Sequence, residues 1–214
     1  MNRNLLQHSV ENFGVLLTDA QLDACALLVS ELQRWNKRIN LTAIQSGDEI
    51  TIKHLVDSLR LVPLLAKESR VLDIGSGGGF PALPLAIIRP DLIITSIDAV
   101  GKKISFQRHI IRQLKLDSCE ALHGRVEALA KSRPKDYDFI TSRAFSNFSL
   151  FLKLASPLVC DSGKIIAMRG PDNEHELEAH GEILKTAGFE FEEAIRYNLP
   201  QNMGQRYLIV GRKS

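Results

Sequence analysis

Apolar positions along this chain change their period once. In the first third they recur at helical intervals; from residue 70 onward short apolar runs alternate with amphipathic stretches. Leu22, Ala26, Val29 and Leu32 make one helical stripe. Thr18-Asp19-Ala20-Gln21 opens it as a capping box, with Thr18 as the cap and Gln21 reaching back. A second helix is expected over 49–65, burying Leu55, Leu59 and Val62. Strands follow at 70–74, 93–97, 119–123, 137–142 and 164–168, interleaved with helices at about 80–89, 101–114, 125–131, 147–158 and 173–187. Two last runs, 189–197 and 206–212, have strand character and a turn-rich connection at 200–205. Such alternation predicts an α/β fold, a mostly parallel sheet covered on both faces and closed by an antiparallel hairpin. Residues 1–66 then form a helical cap or lid, and 67–214 a binding domain that makes one compact unit with it.

The first strand runs into Gly75-Ser76-Gly77-Gly78-Gly79-Phe80-Pro81. Glycine there permits positive φ and lets the backbone approach a bound nucleoside. The alternation Asp73-x-Gly75-x-Gly77-x-Gly79 is the first motif of S-adenosylmethionine-dependent methyltransferases. No Gly-Lys-Ser/Thr follows, which argues against a phosphate-binding loop. Gly77, Gly79 and Ala82 also satisfy the dinucleotide fingerprint, so a nicotinamide enzyme stays open. That match starts two residues late, leaves Gly75 unexplained, and places Asp73 near a pyrophosphate. A cationic sulfonium suits acidic surroundings better.

Ligands of open α/β sheets bind past the carboxyl ends of the strands. Asp98 ends the second strand, where a carboxylate can accept from both ribose hydroxyls, or serve only as a helix cap. The third strand ends in His123-Gly124-Arg125-Val126-Glu127, beside the expected adenine, with Val126 as an apolar wall and Glu127 starting a helix. The fourth ends in Thr141-Ser142-Arg143-Ala144-Phe145. The Asn/Asp-Pro-Pro-Tyr/Phe of amino-group methylases is absent there, and no cysteine sits at a strand end near the glycines to serve base C5 chemistry.

The 214 residues are 44% hydrophobic and 24% charged, an ordinary globular composition. Three scattered cysteines (Cys25, Cys119, Cys160) predict reduced thiols, and His175 and His180 lie on different helix faces, so no metal site is expected. No apolar run suits a membrane span or signal peptide, and a cytoplasmic protein is expected. Net charge is only +2, yet residues 70–171 hold fifteen Lys/Arg against nine acids, while 172–193 hold eight acids and one lysine. Lys102, Lys103, Arg108, Arg112 and Lys115 share an acid-free stretch; Arg108, Arg112 and Lys115 have the spacing of one helix face, which is either a phosphate-binding surface or a solvated one.

These residues resemble those of the ribosomal RNA small-subunit methyltransferase G family, also called glucose-inhibited division protein B. The resemblance runs over nearly the whole chain: Trp35-Asn36 with 39–44, His54-Leu55-Val56-Asp57-Ser58-Leu59, 72–81, 98–103, Gly124-Arg125-Val126-Glu127, Ser142-Arg143-Ala144-Phe145 and Gln205-Arg206-Tyr207-Leu208. Two positions depart from it: Ala82 replaces a usual glycine, and Met168-Arg169-Gly170 stands where Leu-Lys-Gly is common. The resemblance implies a Rossmann-like class I methyltransferase that takes S-adenosylmethionine and methylates N7 of one guanine (position 527) in the 16S ribosomal RNA of the small subunit; a monomer is expected. The family's cofactor contacts map onto Gly75, Phe80, Val126, Glu127 and Arg143, and the glycine motif and strand ends add Asp73, Gly77, Gly79 and Asp98. Arg125, Arg169, Arg206, Lys102 and Lys103 would meet RNA, with Arg143 nearer the cofactor. No base or covalent nucleophile is required, because N7 has a free lone pair, and the transfer rests on orientation. The attacked edge lies in the deep groove of an A-form helix, so the target must be unpaired or splayed.

Overall fold

The computed structural model describes residues 1–143, 145, 147–170 and 174–214, the side chains of 174–178 excepted. Its centre is one sheet of β1 (Arg70–Ile74), β2 (Ile93–Asp98), β3 (Cys119–His123), β4 (Tyr137–Arg143), β5 (Val159–Arg169), β6 (Phe189–Asn198) and β7 (Gln205–Lys213). The order is β3-β2-β1-β4-β5-β7-β6. The first five strands pair in parallel, and β7 runs antiparallel to both neighbours. Chain direction along the sheet therefore reverses at β1, which sits between β2 and β4. That is the switch point past which ligands bind.

Successive β1 residues serve opposite faces, as the strand period requires. Val71 enters a core shared with α2 (Asp19–Asn36), α5 (Ala82–Ile88) and α6 (Gly101–Leu114). Leu72 and Ile74 enter a second core under α7 (Val126–Ser132), α8 (Phe148–Ala155) and α9 (Glu174–Thr186). The first core also takes in Leu6 and Val10 of α1 (Arg3–Glu11), so the N-terminal helices and the sheet bury one continuous apolar mass.

The capping box at Thr18 forms, with Thr18 N–H donating to Gln21 Oε1 (3.0 Å) and Gln21 N–H donating to Thr18 Oγ1 (3.3 Å). The stripe on α2 differs in one member: Cys25 and Leu28 are buried beside Leu22, Val29 and Leu32, and Ala26 is only half-buried. The helix expected over 49–65 is not one helix. It divides into α3 (Gly47–Ile50), a π-helical stretch (Thr51–Val56), α4 (Asp57–Leu59) and a 3-10 turn (Val62–Leu64). Pro63 disfavours an α-helical residue before it, and Val62 falls outside the helix, half-buried. β5 begins at Val159, five residues before the expected strand, and α8 ends at Ala155. The extra strand length passes Gly163, where an added Cβ would lie 2.7 Å from Val159 and 3.0 Å from the Asp138 carbonyl. The basic face expected on α6 is also broken. Lys115 leaves the helix in a left-handed conformation (φ 51°), and Arg108 turns to donate to the Ala121 carbonyl at 2.9 Å.

Candidate active site

The glycine loop between β1 and α5 is held from three sides. Gly75 and Ser76 N–H groups donate to the Ile97 carbonyl at the end of β2 (2.9 and 3.2 Å). Gly77 N–H donates to Asp98 Oδ2 at 2.9 Å, and Val100 N–H to Asp98 Oδ1 at 2.8 Å. From below, the Gln107 amide of α6 donates to the Gly77 carbonyl and the Ser76 hydroxyl, both at 2.8 Å, while its oxygen accepts from Ser96 at 2.5 Å. Gln107 is wholly buried. It is one of the residues the sequence reading missed, although a neutral polar side chain three residues after Ile104 and three before Ile110, both buried, was a visible signal.

Gly75, Gly77 and Gly79 all adopt positive φ, but for different ends. A Cβ on Gly79 would stand 2.4 Å from Leu83, so this glycine seats α5. A Cβ on Gly75 would meet only Phe145 at 3.9 Å, and one on Gly77 only the Gly75 carbonyl at 4.0 Å. Those two mark a cradle that a side chain would fill and a nucleoside can approach. Asp98 rims it. Each carboxylate oxygen holds one backbone N–H and keeps a second acceptor site, which fits a ribose diol. The helix-cap reading of Asp98 gains the Val100 contact, yet Gly77 lies far outside that helix. The residues thus fit S-adenosylmethionine, and we expect Gln107→Leu to lower its affinity about tenfold by orphaning the Gly77 carbonyl, roughly 1–2 kcal/mol. Calorimetric titration of the folded variant measures this, and an unchanged affinity would show that the loop holds without its prop.

Other predicted positions lie at varied depth. Asp73 is fully buried under α5, accepting from Ala82 N–H at 3.3 Å with its other oxygen unpaired; burial pushes its carboxyl up to about 7. It braces the loop from inside. Phe80 is buried too, stacked on His54 with centroids 4.7 Å apart. Val126 belongs to the second core, while Glu127 is exposed in the first turn of α7.

Beside the cradle, at the ends of β4 and β5, lies a cavity of about 400 Å³ lined by Lys53, His54, Asp57, Arg143, Arg169 and Arg206. Three of the predicted arginines meet here. Arg125 does not; it precedes α7 and is exposed, and Lys102, exposed, and Lys103, half-buried, stand in the first turn of α6 outside the cavity lining. Arg143 donates to the Lys53 carbonyl (2.8 Å) and to His54 Nδ1 (2.9 Å), and lies 3.7 Å from Asp57. A guanidinium only donates, so His54 Nδ1 accepts and its proton sits on Nε2, donating to Thr42 Oγ1 at 2.9 Å. Burial and the adjacent Arg143 pull His54 down to about 3, which keeps it neutral for this role. Asp57 also accepts from the Tyr197 hydroxyl at 2.7 Å, tying β6 to the helical cap. Arg169 donates to the Phe145 carbonyl at 3.2 Å. Ala144, between Arg143 and Phe145, lies outside the described residues.

Among the described residues no cluster of His, Cys, Asp and Glu is placed to hold a metal ion, and no helix is long and apolar enough to cross a membrane.

The family model described as "GidB: rRNA small subunit methyltransferase G" matches residues 21–203. A protein of Geotalea uraniireducens (strain Rf4) named ribosomal RNA small subunit methyltransferase G is 45% identical over 211 residues, covering 99% of this chain and 96% of the relative. One of the same name from Geobacter sp. (strain M21) is 43% identical over 97% of this chain and 96% of its own length. Among solved structures, precorrin-6y C5,15-methyltransferase of Geobacter metallireducens GS-15 superposes with a TM-score of 0.56 at 15% identity, over 74% of this chain and 88% of that one. A SAM-dependent methyltransferase of Aquifex aeolicus gives 0.56 at 18% identity, over 74% and 90%. These two show the likeness of fold, a class I methyltransferase sheet.

Proposed function

The chain belongs to the rRNA small subunit methyltransferase G family, and from that premise we propose that it transfers the methyl group of S-adenosylmethionine to N7 of guanine 527 in 16S ribosomal RNA. The observation that carries the reading is the junction of the two halves of the site: the cradle of Gly75, Gly77 and Asp98 borders the arginine-lined cavity, with Phe145 against Gly75 and its carbonyl bound by Arg169. Bound in the cradle, the cofactor supplies a methyl group on a sulfonium centre. The chain's own residues orient the base and exclude water. N7 of guanine has a free lone pair at neutral pH, so no side chain must remove a proton, and among the groups lining the cavity none is needed as a nucleophile.

Methylation leaves a positive charge on the guanine ring, which arginines against the base would oppose. Arg143 meets that difficulty by its partners: the Lys53 carbonyl and neutral His54 accept from its Nη1, and Asp57, 3.7 Å from the same nitrogen, offsets its charge. Arg169 and Arg206, at the rim, serve phosphates. The N-terminal helices act as the cap that closes the cavity, and the working enzyme is a cytoplasmic monomer without a metal.

The test is incubation of the protein with labelled S-adenosylmethionine and small-subunit RNA from cells lacking the gene. Label is expected on N7 of one guanine; label on protein, on a metabolite or on another base atom would refute the assignment. In the same assay Arg169→Ala and Arg206→Ala should weaken RNA binding and each lower its salt slope by about one unit, with cofactor affinity near wild type. An unchanged slope in both would move the RNA path away from this rim.

A further inference from the structure

On the far side of the C-terminal turn of α2 from the arginine cavity, two grooves run into one another. The first, about 270 Å³, is walled by Arg34, Trp35, Arg38 and Ile39. The second, about 210 Å³, shares Arg38 and Ile39 and continues to Val100, Lys102 and Lys103 on the first turn of α6. Trp35 is only half-buried, and its ring is fixed from beneath by Phe106, edge-on at 5.6 Å, and by His109 at 5.2 Å. Arg34, Arg38 and Lys102 are exposed, and so is Val100, at 46%.

The charge pattern has one sign. Residues 32–47 carry three cations and no acid, and residues 99–116 carry five cations and no acid. The acid at the border, Glu31, is nearly buried at the base of α2 and already holds Arg34 and His109, at 2.5 and 2.7 Å. A rigid aromatic ring in an apolar cleft, flanked by cations, is the arrangement that binds single-stranded nucleic acid: the ring stacks a base while the cations follow the backbone. A duplex keeps its bases stacked inside and cannot offer one to a cleft. Leu32 on the same helix packs within 3.5 Å of where a Cβ on Gly78 would lie, so α2 carries both the groove and a contact with the cofactor loop.

We propose that this groove is a second RNA-binding surface, in which one unpaired base flanking the target stacks on Trp35 and the adjoining phosphates meet Arg38, Lys102 and Lys103. The inference rests on the reading that the substrate is RNA. It adds a site that neither the cradle nor the arginine cavity includes.

Trp35 is the sole tryptophan of the chain, so its fluorescence reports this cleft alone. The full-length protein is titrated with a short single-stranded oligoribonucleotide, with the same strand annealed to its complement, and with polyglutamate. Saturable quenching by the single strand, and little by the duplex or the polyanion, is the expected result. Trp35→Leu should weaken single-strand binding about tenfold, the scale of one stacked base, and Trp35→Phe should restore most of it. Arg38→Glu with Lys102→Glu, both exposed, should weaken binding further and lower its salt slope. Equal quenching by polyglutamate, or no quenching together with unchanged affinity in Arg38→Glu/Lys102→Glu, overturns the proposal. The methylation assay separates the two levels. A wild type that labels RNA but shows no quenching loses this surface and keeps its function; a wild type that quenches with RNA yet labels none of it keeps the surface and loses the function.

Discussion

Arg143→Ala will abolish methyl transfer and lower the stability of the fold by about 3 kcal/mol, the scale of stranding one member of a buried ion pair. Three contacts disappear at once: the Lys53 carbonyl, His54 Nδ1 and Asp57. Asp57 keeps only the Tyr197 hydroxyl on one oxygen. Burial already pushes the Asp57 carboxyl above its ordinary value, and Arg143 is the largest influence holding it down. Without that cation the folded state will take up a proton at Asp57 more readily than the unfolded chain does. Stability of the variant must then rise as the pH falls, so its deficit against wild type will shrink from neutral pH into the acid range. Chemical denaturation across that range checks the sign. A deficit independent of pH would mean that Asp57 finds another partner. Arg143→Lys should rescue little, because all three contacts fall on Nη1 of the guanidinium and a lysine ammonium ends one bond short of that position. Cofactor binding should fall alongside, since His54, released from Arg143, no longer holds the Phe80 ring by which the loop meets the cap.

Much of this was legible in the sequence, and most of the illegible part depends on partners far away in the chain. Period-2 and period-3.6 patterns depend on one residue and its near neighbours, so the seven strands, the glycine turn and Asp98 at the end of β2 could be read directly. The π-helical stretch could not be, because an inserted residue leaves the apolar spacing of Leu55 and Leu59 almost unaltered. It does matter to the site: Lys53, His54 and Asp57 all lie on or beside it, and all face Arg143, ninety residues away in the chain for Lys53. No local pattern encodes a partner at that distance. Gln107 is the intermediate case. Its burial was readable from the stripe of α6, whereas its partners on Ser76, Gly77 and Ser96 exist only once β1 and β2 are side by side. The basic helix face failed for a local reason, since the left-handed turn at Lys115 is set by where α6 must stop to enter β3.

Asp98→Ala will cost more than one ligand contact. A strand-end acid would ordinarily add little to the fold, but Asp98 is nearly buried, and both its oxygens hold the main chain of the site, at Gly77 and Val100. Alanine removes the two acceptor positions facing a ribose and also frees the Gly77 N–H, so the cradle loses its shape with its anchor. Losing charge-assisted hydrogen bonds of this kind amounts to about 1.5–3 kcal/mol. Loosening the loop adds to it, and cofactor affinity should fall by about a hundredfold or more, measured by calorimetry. Asp98→Asn separates the two contributions. Its one carbonyl oxygen can serve Gly77 or Val100 but not both, while its amide turns a donor toward a backbone N–H that also donates. Asparagine should therefore recover the fold only in part and the affinity hardly at all. If Asp98→Asn binds the cofactor as wild type does, the carboxylate is a brace for the turn and the ribose is held elsewhere. If Asp98→Ala loses affinity while Gly77 keeps the slow amide exchange of a bonded N–H, the ribose contact alone accounts for the loss and Gln107 suffices to hold the loop.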